Sequence, residues 1–496
     1  MPSALELADE TRLRLSPTLD AKRRSQLGQF MTPTPVATFM ASMFDQLPEN
    51  IRLLDAGAGV GALTAAFVDE ALSRPSDLAS IEVIAYEVDA ILADELEKTL
   101  KACSEKCGIA GVKFIWQVVR DDYILRSSEP LLSESGGFNC AIMNPPYAKI
   151  NTGSRWRAAL RQLGIETVNL YTAFVGVALH QLDDGGQLVA ITPRSFCNGP
   201  YYAPFRRDLL ALACLRRIHL YGSRKSAFKD DAVLQENVIY HVVRGAEQPE
   251  HIALSTSDSP SDPDVRVRKV GFRDVVRPYD PQCFIRLSSS EEDADLALRV
   301  QTLPCTLAGL GITVSTGRVV DFRARPYLRK QPEPGSWPLI YPAHFDQGFV
   351  AWPRPETRKN NALARSSYTE PQVVPEGTYV LTKRFSAKEE KRRLVAAVYA
   401  PERVAKGHVG FENHLNYFHE NGGGLPPVIA RGLAVFLNST AVDQYFRIFS
   451  GHTQVNATDL RTLHYPTREK LERLAEIVGD TMPPQNEIDE AVEELL

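Results

Sequence analysis

The sequence predicts an α/β protein: a mostly parallel, Rossmann-like sheet in its first half and a mixed α+β domain in its second. Three observations predict this. Over residues 51–243 short apolar stretches alternate with longer amphipathic ones, the pattern of buried strands separated by covering helices. The first strand runs directly into the glycine-rich turn Gly57-Ala58-Gly59-Val60-Gly61, as at the ligand-binding mouth of doubly wound sheets. Beyond residue 265 the alternation stops and Pro, Gly and aromatic residues abound.

In chain order, Ala4–Phe44 reads as helical, interrupted by Thr32-Pro33-Thr34-Pro35, because proline suits a helix's first turn. Strands are expected at Ile51–Asp55, Ile81–Tyr86, Val112–Val118, Phe138–Met143, Gln187–Thr192, Leu215–Tyr221 and Glu236–Val243. Helices are expected at Ala62–Leu72, Ala90–Ala102 and Tyr171–Leu182. The Ser/Pro/Asp-rich stretch 246–264 has the composition of an exposed connection. Thr467–Gly479 predicts an amphipathic helix capped by Thr467, with Leu471, Leu474, Ile477 and Val478 on one face. The expected divisions are a helical arm at 1–27, a first domain at 28–247, a linker at 248–264, a second domain at 265–466 and a terminal helical segment at 467–496.

At 496 residues, with 44% hydrophobic and 24% charged content, the chain has material for more than one core and is not a disordered or collagen-like protein. No run of about 18 apolar residues occurs, which predicts no membrane-spanning helix. The opening Met1-Pro2-Ser3-Ala4-Leu5-Glu6 carries an acid and no apolar run, so no signal peptide is expected. The seven scattered cysteines suit reduced thiols in a cytoplasm. Cys103 and Cys107 have no second Cys or His pair nearby, so no metal site is expected. The net charge of −5 argues against a general polyanion binder, yet 301–410 holds 17 basic against 9 acidic residues, a local +8. One polyanion-facing surface and a plain solvated basic face both fit that asymmetry.

Two constellations carry chemistry. The first is Asp55-Ala56-Gly57-Ala58-Gly59-Val60-Gly61 at the end of a strand, with Glu87 at the end of the next. Gly57-x-Gly59-x-x-Ala62 loosely fits a dinucleotide fingerprint, so NAD is one candidate. Asp55 favours another, because a carboxylate there repels a pyrophosphate and suits the ammonium group of S-adenosylmethionine. Glu87 stands where a carboxylate accepts from ribose hydroxyls. The second constellation, Asn144-Pro145-Pro146-Tyr147, ends the fourth strand. Two prolines fix φ and withhold donors, which lets the Asn144 side-chain oxygen and the Pro145 carbonyl accept from one amine. Tyr147 offers a ring face for a planar substrate.

These residues resemble the S-adenosylmethionine-dependent amino-methyltransferases with an Asn-Pro-Pro-Tyr motif, and within them the γ-group of DNA adenine-N6 methyltransferases of type II restriction–modification systems. The resemblance runs through residues 28–245 in order. Gly28-Gln29-Phe30-Met31-Thr32-Pro33 is similar to the N-terminal cofactor motif, which gives Thr32 and Pro33 a cofactor role. Asp55, Ala56, Gly57 and Gly59 match the glycine loop, Glu87 the ribose-binding acid, and Asp122-Tyr123 the pair that holds the cofactor's adenine. Asp121 offers the alternative register for that pair. Asn169-Leu170-Tyr171, Gly185–Val189 and Thr192–Phe196 are similar to later family blocks, and Phe228 falls where the family places a second aromatic against the target base.

In the C-terminal half, Ser450–Leu460 resembles the PstI/BsuBI-like modification methylases. Gln454 and Asn456 are types that pair with adenine in a major groove, while the same stretch also reads as a loop with Thr458 capping a helix. Lys383, Arg384, Lys391, Arg392 and Arg393 are candidate phosphate contacts.

The resemblance implies a cytoplasmic enzyme that binds S-adenosylmethionine and double-stranded DNA, flips an adenine out of the duplex and methylates its N6. It further implies a separate restriction endonuclease acting on the same site. Methyltransferases acting on protein glutamine or RNA guanine share Asn-Pro-Pro-Tyr, and a non-catalytic DNA-binding or specificity subunit is a rival of another class. Glu389-Glu390-Lys391 has no convincing Pro-Asp partner upstream and no spare domain to hold it, so no fused nuclease is expected.

Overall fold

A computed structural model describes residues 3–16, 31–75, 77–129, 137–221, 236–288, 290–386, 390–449 and 454–496. The chain forms two compact units, Met1–Arg286 and Leu287–Leu496.

The first unit is built on nine strands: β1 (Asn50–Ala56), β2 (Ser80–Tyr86), β3 (Lys113–Val119), β4 (Phe138–Met143), β5 (Leu182–Pro193), β6 (Ala213–Tyr221), β7 (Asn237–Arg244), β8 (His251–Ser257) and β9 (Arg266–Gly271). Their order is β3-β2-β1-β4-β5-β7-β6-β8-β9. The first five strands are parallel, and β7 inserts antiparallel between β5 and β6. Every strand expected from the sequence is present within a few residues. β5 starts five residues early, at Leu182 rather than Gln187, because Asp183–Gly186 continues the strand across an irregularity beside Phe138 and Cys140.

The helices of this unit are α1 (Ala4–Leu15), α2 (Thr34–Ser42), α3 (Ala62–Ser73), α4 (Ala90–Ile109), α5 (Tyr123–Ser127), α6 (Arg155–Gln162), α7 (Leu170–Gln181) and α8 (Ala203–Leu212). Central strands are buried on both faces, which is why they read as near-continuous apolar runs. From β1 the chain moves outward through β2 and β3, then returns to place β4 on β1's other side, pairing Asp55 with Ile142. That reversal opens a crevice at the carboxyl ends of β1 and β4, where such sheets bind ligands.

The expected divisions need correction. α1 is no detached arm: Ala4, Ala8 and Leu15 are buried in the same core as Val36, Leu63 and Leu96. The stretch 248–264 is no linker, since β8 pairs with β6 and with β9 and extends the sheet. Its apolar Ile252 and Leu254 are buried, and this alternation is masked in the sequence by the Ser and Asp residues that follow.

The second unit is mixed α+β. Its strands are β10 (Thr313–Thr316), β11 (Leu328–Arg329), β12 (Ser336–Ile340), β13 (Phe345–Asp346), β14 (Phe349–Val350), β15 (Ala362–Ala364), β16 (Val373–Val374), β17 (Tyr379–Lys383), β18 (Ala396–Tyr399), β19 (Val409–Phe411) and β20 (Leu415–His419). They form a sheet ordered β10-β20-β17-β18-β14-β13 and another ordered β11-β15-β12-β19-β16. Helix α9 (Glu291–Gln301) precedes these strands, and α10 (Pro427–Leu437), α11 (Thr440–Phe449), α12 (Ala457–Thr462), α13 (Arg468–Ala475) and α14 (Gln485–Glu493) follow them.

The C-terminal helices belong to this unit's core rather than to a separate segment, with Leu471, Leu474, Ile488 and Val492 buried beside Leu433 and Phe436. α13 crosses α10 at Gly432, where an added Cβ would lie 1.8 Å from the Leu471 carbonyl oxygen. Thr467 caps α13 as expected, accepting from the Lys470 N–H. At α12 the capping residue is Asn456, in a reciprocal box with Asp459, and not Thr458. Among the described residues no helix is long and apolar enough to cross a membrane.

Candidate active site

A cleft opens at the carboxyl ends of β1, β2 and β4. Its floor is the glycine loop between β1 and α3, where Gly57, Gly59 and Gly61 have φ of 78°, 58° and 86°. Only glycine takes that run of left-handed conformations without strain. Gly57 and Ala58 donate to the Tyr86 carbonyl, which ties the loop to the end of β2.

Glu87 follows directly and is 4% exposed. Its Oε2 accepts from the Gly59 N–H at 2.9 Å and its Oε1 from the Asp89 N–H at 2.8 Å. Burial outweighs these bonds and raises the carboxyl to about 7.

The far wall comes from α5 and α6. Asp122 caps α5, accepting from the Leu125 N–H through Oδ1, while its Oδ2 accepts from the Trp156 indole N–H at 2.7 Å. Asp121 also lines the cleft, so both registers of the acid stand there. Tyr123 is buried, its hydroxyl donating to Gln181 and its ring packed between Tyr86 and Phe174.

Asn144 and Pro146 close the cleft from β4, beside Met31 and Thr32. The Asn144 amide is held at both ends. Its Nδ2 donates to Thr32 Oγ1 at 3.1 Å, and its Oδ1 accepts from the Tyr147 hydroxyl at 3.1 Å. Burial raises the Tyr147 phenol above its ordinary range, so it stays protonated and able to donate. The Tyr147 ring meets Tyr171 edge to face at 6.0 Å, and Tyr171 meets Tyr202 at 5.8 Å. A row of three tyrosines thus leads away from Asn144, steadied by Tyr171 hydrogen-bonding to Ser195.

Thr32, Gly57, Gly59, Glu87, Asp122, Tyr123, Asn144 and Pro146 therefore share one cleft. Pro33, Ala56, Pro145 and Tyr147 stand outside its lining: Pro33 caps α2, Ala56 ends β1 and Pro145 is buried. Asp55 lies behind the wall, fully buried. Its Oδ2 accepts from Thr64 at 2.6 Å while Oδ1 has no hydrogen-bond partner, and burial raises the carboxyl to about 7. Phe228, with Gly28, Gln29 and Phe30, lies outside the described residues. Trp156, Phe174 and Leu92, which belong to none of the motifs, also line the cleft.

Of the second unit's candidate contacts, Arg393 must be withdrawn. It is 0% exposed, with its guanidinium over the Phe446 ring, where no phosphate reaches it. Arg392 is turned to the Ser439 carbonyl. Asn456 serves its helix cap, and Gln454 accepts from Arg384 at 3.5 Å. Lys383 and Lys391 are not buried.

The strand order, the crossover crevice and the glycine loop facing an acid just past β2 define the Rossmann-like fold that methyltransferases share. The Eco57I restriction-modification methylase family matches residues 77–228. Over 492 residues the chain is 46% identical to the type II methyltransferase M.PstI of Providencia stuartii, spanning 99% of this chain and 97% of that one. It is 44% identical to the type II methyltransferase M.BsuBI of Bacillus subtilis over 508 residues, spanning 100% and 99%. The chain belongs to the type II restriction–modification methyltransferases that these two represent.

The fold is similar to that of the type IIL restriction-modification enzyme MmeI, solved in complex with DNA. That match has a TM-score of 0.55 at 11% identity, over 98% of this chain and 75% of that one. The type ISP enzyme LlaGI, as a nuclease-deletion mutant with a DNA substrate mimic, matches with a TM-score of 0.54 at 11% identity. There 94% of this chain spans only 56% of the larger protein.

Proposed function

We propose that this modification methyltransferase transfers a methyl group from S-adenosylmethionine to N6 of an adenine turned out of duplex DNA. The observation that carries this is Asn144, clamped between Thr32 and Tyr147 at the edge of the glycine-loop cleft.

The cleft's chemistry fits the cofactor. Glu87, Asp121 and Asp122 give it acid at two points, which suits a cationic, hydroxyl-bearing ligand and repels a pyrophosphate. Glu87 would accept from the ribose hydroxyls. Asp121 or Asp122 would accept from the adenine amine, between the apolar walls of Phe174, Leu92 and Trp156. The Asp55 Oδ1, buried without a partner, is an acceptor held in reserve behind the loop. Bound there, S-adenosylmethionine supplies an activated methyl group on a sulfonium.

An adenine inside a duplex cannot reach this cleft and must flip. Tyr147, next in the tyrosine row, would meet the extruded ring. The Asn144 amide oxygen and the Pro145 carbonyl would accept from the N6 amine, concentrating electron density on nitrogen during attack. The amine proton then leaves to solvent. Most of the rate would come from positioning and fixed dipoles. Phosphate contacts from Lys383, Arg384 and Lys391 would seat the duplex. A chromosomal substrate implies a cytoplasmic enzyme, and a modification role implies a separate endonuclease with the same site.

Purified protein incubated with tritiated cofactor and unmethylated DNA, RNA or protein tests the acceptor. Label in DNA alone supports the reading; label in RNA or protein with none in DNA overturns it.

A further inference from the structure

We propose that Phe385 and His414, held by Glu412, form a base-reading pair on the second unit; this rests on the DNA substrate proposed above. β17 and β20 are antiparallel neighbours, so Arg384 and Phe385, after one, and His414, before the other, lie at the same end of the sheet. Residues 412–414 link β19 in one sheet to β20 in the other.

Glu412 is 0% exposed, and its carboxylate serves one neighbour twice. Oε2 accepts from the His414 backbone N–H at 3.0 Å, and Oε1 bonds the His414 Nδ1. Burial raises this carboxyl above its usual range, a cost that the two bonds offset only in part. The imidazole is thereby fixed by one nitrogen, while its side chain remains 44% exposed. Nε2, across the ring from that anchor, is the nitrogen left for a ligand.

Phe385, 43% exposed, packs its ring on His414 at 4.7 Å. The Arg384 guanidinium lies 5.6 Å from the Phe385 ring centre and donates to the Asn413 carbonyl at 3.2 Å. An apolar ring, an imidazole and a cation are thus presented together at a surface. This combination suits a major-groove edge: Nε2, an acceptor while Nδ1–H donates to Glu412, for the amine of adenine or cytosine, the phenyl ring for a thymine methyl, the guanidinium for guanine or phosphate. Fixing these groups beforehand is what makes a wrong base costly.

The test compares the full-length protein with H414A, F385A and E412Q. Probes are duplex oligonucleotides carrying the site methylated in genomic DNA, and the same duplexes changed at one pair at a time. H414A and F385A should each lower kcat/KM about tenfold on the intact site and leave one singly changed duplex unaffected, collapsing discrimination at that pair. E412Q, acting through His414, should partly relax the same pair as H414A. Cofactor affinity should not change in any of the three. Discrimination retained at every pair in both H414A and F385A, whatever the overall rate, overturns the proposal. Absence of methylated DNA with the unaltered protein would instead overturn the acceptor reading.

Discussion

The Tyr147 hydroxyl donates to the Asn144 Oδ1 at 3.1 Å, so the ring three residues on also sets the rotation of that amide. With Thr32 holding the other end, the amide has one orientation, oxygen toward the tyrosine and nitrogen toward the threonine. This relationship separates two roles that the motif joins.

Tyr147→Phe keeps the ring and removes the orienting bond. It should lower the single-turnover rate about tenfold while leaving capture of a flipped base nearly intact, as read by 2-aminopurine fluorescence at the target position. Tyr147→Ala should lose capture as well, by roughly 1–3 kcal/mol. Equal capture by Ala and Phe variants would remove the stacking role.

Trp156→Phe should weaken cofactor binding, because it strips Asp122 Oδ2 of its donor and thins a wall of the cleft. A loss of about 1–2 kcal/mol is expected for one bond to a charged acceptor. Calorimetric titration checks it, and the same variant should lose the cofactor-dependent change in tryptophan fluorescence. An unaltered affinity and signal would place Trp156 outside the binding site.

The acids of the first unit give a pH dependence. Burial raises Glu87 from 4.5 and Asp55 from 3.8, each to about 7. Between those limits the folded protein holds protons that the unfolded chain has released, so this contribution to stability falls as pH rises from about 4 to 7. Cofactor affinity should run the other way, since ribose hydroxyls and a cationic ligand prefer ionised carboxylates. It should weaken up to about tenfold per pH unit below 7. In Glu87→Gln the dependence should be shallower, and affinity lower at pH 8; a slope identical to that of the unaltered protein would contradict the assignment.

Two second-unit substitutions should destabilise without touching DNA contacts. Gly432→Ala forces a methyl group against the Leu471 carbonyl, and Arg393→Ala empties a buried site over Phe446. Each should lower the melting temperature, with a loss of stability of about 2–4 kcal/mol for overpacking or cavity formation. Neither should alter the salt dependence of DNA binding. Replacing Lys383 and Arg384 together should do the reverse, flattening that slope by up to about two units at unchanged stability.

The sequence made the first unit legible because strand, turn and helix signals are local, and a glycine run after β1 or Asn-Pro-Pro-Tyr after β4 announces its own backbone. β8 was hidden because its buried residues, Ile252 and Leu254, stand inside a stretch whose composition reads as loop. The second unit was legible only as a class, since pairings such as Phe349 with Val398 join distant short strands. Arg393 shows the limit most plainly: a Lys-Arg-Arg run looks like a solvated face, and only tertiary packing turns one member inward. Trp156 reaches the cleft through the docking of α6 on α5, which no spacing encodes.

The central claim is that Asn144 receives the amine that is methylated. Its most direct test is a single-turnover assay of Asn144→Ala on unmethylated duplex DNA with labelled S-adenosylmethionine, the nucleosides then resolved by mass spectrometry. N6-methyladenine is the expected product of the unaltered protein. In the variant the rate should be lower by about two orders of magnitude or more, with cofactor affinity and melting temperature retained. A near-normal rate in the variant, or a methylated base other than adenine, would contradict the claim.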